Sequence, residues 1–259
     1  MKFTFLGTCA GTEPLPGAHH TSFAVESGES LYFFDAGENC SYTAHLAGVD
    51  LLKLRAVFIS HTHMDHIGGL ANLFWTVRKL EWVKKTRNAF DPVTLKIPIL
   101  DTFEGVWKLL RNSEGNFENS YTISASRTEE GLCYKDDTIA VTAIPNRHLA
   151  PLPDGTPISY SYRFTAEGKT VVFSGDVKDM TDLCPLFDVP VDLLLIETGH
   201  HTVEKVCNQL AENGLHPKML YFLHNGRALL DDMEGSEATA KRLFGEKAHI
   251  LRDAETLEL

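Results

Sequence analysis

The 259-residue chain has little that would place it outside a reducing compartment. Its five cysteines, Cys9, Cys40, Cys133, Cys184 and Cys207, are odd in number and scattered, with no CxxC pair. That excludes a disulfide framework and a cysteine zinc site, and it points to buried, inert thiols in a cytoplasmic protein. Long apolar runs are also missing. The stretch Val189–Ile196 falls far short of the roughly 20 residues of a membrane span, so no membrane role is expected. The start, Met1 to Gly7, lacks the apolar core and cleavage site of a secretory signal and reads as a first β-strand. Repeats, low-complexity tracts and Pro/Gly/Ser linkers are absent, and the expectation is a single domain over 1–259.

Positive charge is in deficit, with 24 basic against 35 acidic side chains and a net charge of −11. Such a field repels phosphate backbones, so nucleic acid is not the expected partner and a small-molecule substrate is. A homodimer is left open.

What is present is histidine, twelve residues in all. Apolar alternation predicts strands over 2–6, 21–27 and 30–35, with Gly28-Glu29 as the turn between the last two. Further strands are expected over 54–60, 94–100, 138–144, 159–165, 170–174, 191–196, 219–223 and 249–252. Helical spacing is expected over 41–47, 68–85, 103–111, 203–213 and 236–244. The segments 86–93 and 112–135 carry the poorest pattern and read as lid or edge loops. Strands lead to helices in each half, which two sheets packed face to face with helices outside would satisfy.

The strongest signal is Ile59-Ser60-His61-Thr62-His63-Met64-Asp65-His66-Ile67-Gly68-Gly69. Three histidines and an aspartate fall within six residues, between an apolar strand and a helix. His61 and His63, two apart on extended chain, project to one side. Imidazole nitrogen and carboxylate oxygen are donors that zinc, iron and manganese accept. His148, Asp176 and His224 each follow a β-run in the same way. The order HxHxDH, lone histidine, aspartate, final histidine resembles the metallo-β-lactamase superfamily over about residues 3–226. Phe34-Asp35-Ala36-Gly37 is similar to its early Asp-x-Gly turn.

The resemblance implies an α/β fold, a four-layer αββα sandwich of two mixed sheets. It implies a hydrolase holding two divalent ions, zinc ahead of manganese or iron. One ion would be held by His61, His63 and His148, the other by Asp65, His66 and His224, with Asp176 bridging. A metal-bridging hydroxide would attack, and Asp65 would act as both ligand and base. Asp35 is expected to orient a ligand imidazole. In Glu197-Thr198-Gly199-His200-His201, His200 is the candidate general acid or phosphate contact and Glu197 its partner. His19 and His20, beside the Gly/Pro-rich loop 11–18, are candidates for the pocket mouth. Trp75, Trp82 and Trp107 read as packing residues.

Gly7-Thr8-x-x-Gly11-x-x-Pro14-x-Pro16 and Leu223-His224-Asn225-Gly226-Arg227 resemble the branch of ribonuclease Z and small phosphodiesterases. Ile196 stands where that branch's His-Glu-Ala-Thr motif has histidine, and no long glycine-rich arm for transfer RNA is present. The expectation is therefore a small phosphodiester. Thioester or lactone hydrolysis, transfer-RNA 3′ processing, a non-catalytic metal-binding sensor and an iron redox protein are the alternatives.

Overall fold

The computed structural model describes residues 1–113 and 120–259. The chain divides into two compact units. The first comprises Met1–Gly7, His19–Thr128 and Ala254–Leu259, and the second Thr8–Ala18 and Glu129–Asp253.

The first unit holds β1 (Lys2–Gly7), β2 (Ser22–Ser27), β3 (Ser30–Phe34), β4 (Leu54–Phe58), β5 (Val93–Ile97), β6 (Ile123–Arg127) and the last strand, β14 (Thr256–Glu258). They form one seven-stranded sheet in the order β14-β1-β2-β3-β4-β5-β6. Strands β14, β1, β2 and β3 pair antiparallel, and β3 through β6 pair parallel. Parallel neighbours need long crossovers. Here α1 (Cys40–Leu46) lies between β3 and β4. The short α2 (Met64–Ile67) and α3 (Leu70–Lys84) lie between β4 and β5, and α4 (Leu100–Ser113) between β5 and β6. Leu73, Phe74 and Val77 of α3 bury against Phe33, Val57 and Leu95 of the sheet. Phe3, Phe5, Phe23, Phe34 and Phe58 are wholly buried, and Phe34 stacks on both Phe23 and Phe58, with centroids 5.1 Å and 5.0 Å apart. Each such side chain contributes about 1.5–3 kcal/mol by leaving water.

The second unit repeats the plan. Strands β7 (Gly131–Lys135), β8 (Ile139–Pro145), β9 (Tyr160–Ala166) and β10 (Lys169–Phe173) pair antiparallel. Strands β10, β11 (Leu193–Thr198), β12 (Met219–Asn225) and β13 (Ala248–Ile250) pair parallel. The β9–β10 hairpin turns on Glu167 and Gly168, with φ of 51° and 72°, the two positive values of a type I′ turn. A 3-10 segment, Met180–Phe187, joins β10 to β11. Helix α5 (Val203–Glu212) connects β11 to β12, and α6 (Arg227–Leu230) and α7 (Met233–Phe244) connect β12 to β13. Thr202 caps α5 by accepting the Lys205 N–H. Val206 and Leu210 bury against Leu194, Ile196 and Phe222.

Most expected elements form within a residue or two of their expected bounds. Three strands do not match the reading. Strands β6 and β7 lie inside the segment 112–135 that reads as loop, and β14 has no counterpart in the expectations. All three end a sheet. An edge strand has one unpaired side and half-solvated faces, so the sequence carries no strong apolar alternation there. Residues 114–119 of that expected loop lie outside the described residues. Among the described residues, no helix is long and apolar enough to cross a membrane.

Candidate metal centre

In the first unit the site residues gather at the carboxyl ends of the parallel pair β3–β4. Asp35 follows β3, and Ser60 to His66 follow β4 and run into α2. His61 and His66 are fully buried, whereas His63 and Asp65 are not. Asp35 takes a left-handed φ of 55°, which Asp tolerates better than most residues. Its carboxylate accepts the Ser60 N–H at 2.7 Å and the Ser60 hydroxyl at 2.8 Å. His66 Nδ1 is 2.7 Å from Asp35 Oδ2, and Ser60 Oγ is 3.1 Å from His61 Nδ1. Both buried rings are thus gripped at Nδ1, so their Nε2 atoms face the other donors. His61 Nε2 is 3.0 Å from His63 Nδ1, and His66 Nε2 is 3.4 Å from Asp65 Oδ2. Orienting a ligand imidazole through its second nitrogen is the usual arrangement around a metal.

Glycine lets this loop close. A Cβ at Gly37 would stand 2.3 Å from the His20 carbonyl oxygen, and one at Gly69 would stand 2.1 Å from the Gly37 carbonyl oxygen. His20 Nδ1 pairs with Glu38 at 2.7 Å. Burial raises the Glu38 carboxyl, but the bonds from His20 outweigh it and leave the group below the usual range.

In the second unit, β8, β10, β11 and β12 point the same way, and their carboxyl ends carry His148, Asp176, Glu197–His201 and His224. Ligand sites commonly collect at such an edge. Asp176 Oδ2 is 3.6 Å from His148 Nε2, and Asp176 Oδ1 is 3.4 Å from His224 Nε2. Donor atoms of Asp176, Glu197, His200 and His224 all lie within 4.8 Å of one another. His200, half-exposed, sets its Nδ1 3.0 Å from Glu197 Oε2. Burial would raise Glu197, yet hydrogen bonds from His200 and His224 hold it down at about 2. The bond to Glu197 raises His200 above the ordinary imidazole value against the effect of its own burial.

The Asp176 loop is fastened by residues whose part the sequence does not reveal. The Val177 N–H donates to Glu197 Oε1 at 3.0 Å, and its carbonyl lies 3.0 Å from His201 Nε2. Lys205 Nζ is 3.1 Å from His201 Nδ1. Lysine is a donor only, which makes Nδ1 the acceptor and Nε2–H the donor of His201. A Cβ at Gly199 would stand 2.4 Å from His224 Nδ1. Arg227, three residues beyond His224, pairs with Glu13.

The donor set suits a divalent ion. Among the described residues, the donors gathered in each unit are imidazole and carboxylate groups, a choice matched to zinc, manganese or iron. Cys40, beside the Gly37–Gly69 contact, has its thiol pushed up to about 12 by burial and stays protonated.

Against known proteins, a family model described as "Anti-Pycsar protein Apyc1" matches residues 1–214. Ribonuclease Z of Picrophilus torridus is 32% identical over 163 residues, which are 63% of this chain and 47% of that protein. The chain spans about half the length of the curated relatives it matches. Two solved structures superpose on the whole chain. The metallo-β-lactamase fold protein YhfI of Bacillus subtilis has a TM-score of 0.77 and 19% identity, with 99% of it covered. The short form of human tRNase Z has a TM-score of 0.72 and 16% identity, with 99% covered. These likenesses show the expected α/β metallo-β-lactamase fold. The chain belongs to the Anti-Pycsar protein Apyc1 family, has the metallo-β-lactamase fold and counts ribonuclease Z among its sequence relatives.

Proposed function

We propose that this protein hydrolyses a small phosphodiester with two divalent metal ions. His61, His63 and His148 would hold one ion and Asp65, His66 and His224 the other, with Asp176 shared. The observation that carries the reading is the grip of Asp35 and Ser60 on the Nδ1 atoms of His66 and His61. Such fixing of buried imidazoles suits ligands better than packing residues. The ions would supply Lewis-acid charge and a water acidified toward neutral pH.

The chain's own groups divide the remaining work. Asp65, at the N-terminal turn of α2, can take the attacking water's proton. His200, whose proton affinity the hydrogen bond to Glu197 raises, can give a proton to the leaving oxygen or bind a non-bridging phosphoryl oxygen. Its position in the second-unit cluster supports the choice of a proton donor outside the His-Glu-Ala-Thr position. The net charge of −11 favours a small substrate over a long polyanion. Zinc is the preferred ion, and a soluble cytoplasmic protein the preferred setting, on the donor types and the free thiols.

The ribonuclease Z relatives favour a second reading, cleavage of a transfer-RNA precursor. Elemental analysis and turnover on wild type and Asp176→Ala separate the readings. The substrates are a chromogenic aryl phosphodiester, cyclic mononucleotides, a precursor transfer RNA, a thioester and a lactone. About two metals per chain with small-phosphodiester turnover lost in the variant is the expected result. Cleavage of the RNA alone would replace the first reading with the second. Turnover of only the thioester or lactone would reject both phosphodiester readings, and a chain that takes up no metal would reject them all.

A further inference from the structure

One carboxylate outside the ligand set ties together two segments of the second unit. Asp182 lies in the 3-10 segment between β10 and β11, with its side chain only 3% exposed. Its Oδ1 accepts Arg147 Nε–H at 2.5 Å. Its Oδ2 accepts two backbone amides, Arg147 N–H at 3.2 Å and Lys178 N–H at 3.0 Å. Arg147 directly precedes His148, and Lys178 is two residues beyond Asp176. The guanidinium is tied to the same segment twice more, by bonds from Nη2 to Asp179 Oδ1 at 2.7 Å and Thr181 Oγ1 at 2.6 Å.

We propose that Asp182 is a positioning residue for the metal centre, one that sets the spacing of His148 and Asp176 before an ion arrives. The inference rests on the reading of those two residues as ligands. They stand on separate loops, yet His148 Nε2 and Asp176 Oδ2 are held 3.6 Å apart. Two donors on unconnected loops would each have to be ordered by the ion. With Asp182 in place, the Arg147 guanidinium and the N–H groups of Arg147 and Lys178 together fix both segments next to the ligands, and that ordering is done during folding. Val177, between Asp176 and Lys178, is held in turn by Glu197 and His201, so the same stretch of the Asp176 loop has further anchors. Asparagine is the same size as aspartate but turns an NH2 toward one of three N–H donors, so it breaks the clamp without emptying the space.

The test is zinc affinity of the intact chain, measured by competition with a chromogenic chelator, with zinc release rate and metal-free melting temperature beside it. The variants are Asp182→Asn, Arg147→Lys, Asp188→Asn and Asp176→Ala. Asp188 follows the same segment, is exposed, and pairs with Arg163 of β9 and with neither Arg147 nor Lys178, so it reports on the segment alone. Asp182→Asn is expected to weaken zinc binding by about 10–100-fold and to speed release, the usual effect of removing an outer partner. Asp188→Asn should leave zinc affinity at the wild-type value. A purely structural role would lower the metal-free melting temperature of Asp182→Asn and leave zinc affinity within twofold of wild type, which would overturn the proposal. If Asp182→Asn does not fold, Arg147→Lys decides, since it keeps the charge and loses the forked contact. Weakening supports the proposal, and wild-type affinity rejects it. Wild-type protein that takes up no zinc, or Asp176→Ala that binds as tightly as wild type, would overturn the ligand assignment itself and the proposal with it. Both outcomes are distinct from failure at Asp182 alone.

Discussion

Asp35 Oδ2 sits 2.7 Å from His66 Nδ1, with both side chains sealed from solvent. A carboxylate on Nδ1 favours the Nδ1–H tautomer and leaves the Nε2 lone pair to act as ligand. The same carboxylate holds Ser60 by two bonds, and Ser60 reaches His61, so one aspartate orients two rings.

Asp35→Asn keeps the size of the side chain and tolerates the left-handed backbone. Zinc affinity should fall by about 10–100-fold with the fold intact, measured by chelator competition and circular dichroism. An affinity equal to wild type would show that the pair does not orient a ligand. Asp35→Ala should also destabilise the chain by about 1–3 kcal/mol, because buried donors lose their acceptor.

Gly199→Ala and Gly105→Ala should act in opposite directions. A Cβ at Gly199 would meet the His224 ring at 2.4 Å, whereas one at Gly105, inside α4, would meet nothing within 4 Å. Denaturant melts should show Gly199→Ala destabilised by about 1–3 kcal/mol. They should show Gly105→Ala stabilised by about 0.5–1 kcal/mol.

The Glu197–His200 pair should be visible in the titration of metal-free protein. Nuclear magnetic resonance should place His200 above the ordinary imidazole value, and Glu197→Gln should lower it again. Because the folded value is raised, the stability from this pair is complete below the unfolded histidine pKa. It is lost as pH rises through the folded value. Glu197 behaves in the opposite sense. Its contribution is present above the unfolded carboxylate range and disappears as pH falls toward about 2. A His200 titration at the ordinary value would contradict the pairing.

The thiols should separate by burial. Cys184 is exposed, whereas burial pushes Cys40 up to about 12 and Cys207 to about 11. A maleimide at neutral pH should label Cys184 in the native protein and leave Cys40 and Cys207 for the denatured one, as read by mass spectrometry. Rapid labelling of native Cys40 would contradict the packing around Gly69.

Much of the fold was legible because buried strands such as Leu54–Phe58 and Leu193–Thr198 must carry apolar residues wherever both faces are covered. Edge strands such as Ile123–Arg127 and Thr256–Glu258 carry serine, threonine, arginine and glutamate, because half their surface meets water. Nothing in their periodicity separates them from loop. The 3-10 segment Met180–Phe187 was equally silent, since its short turns and Pro185 give no helical spacing.

The sequence by itself determined which donors this protein presents and in what order. Imidazole and carboxylate chemistry belongs to the residue type, and the spacing of His61, His63, Asp65 and His66 is local. It also marked Asp35 as a candidate for orienting a ligand, through the Asp-x-Gly turn. Which nitrogen Asp35 grips, and that Asp182 joins the segments of His148 and Asp176, was decided by tertiary structure alone. Those bonds connect residues 31 and 35 positions apart. A hydrogen bond at that separation has no period or motif in the chain, and it exists only once the strands bearing both partners have paired.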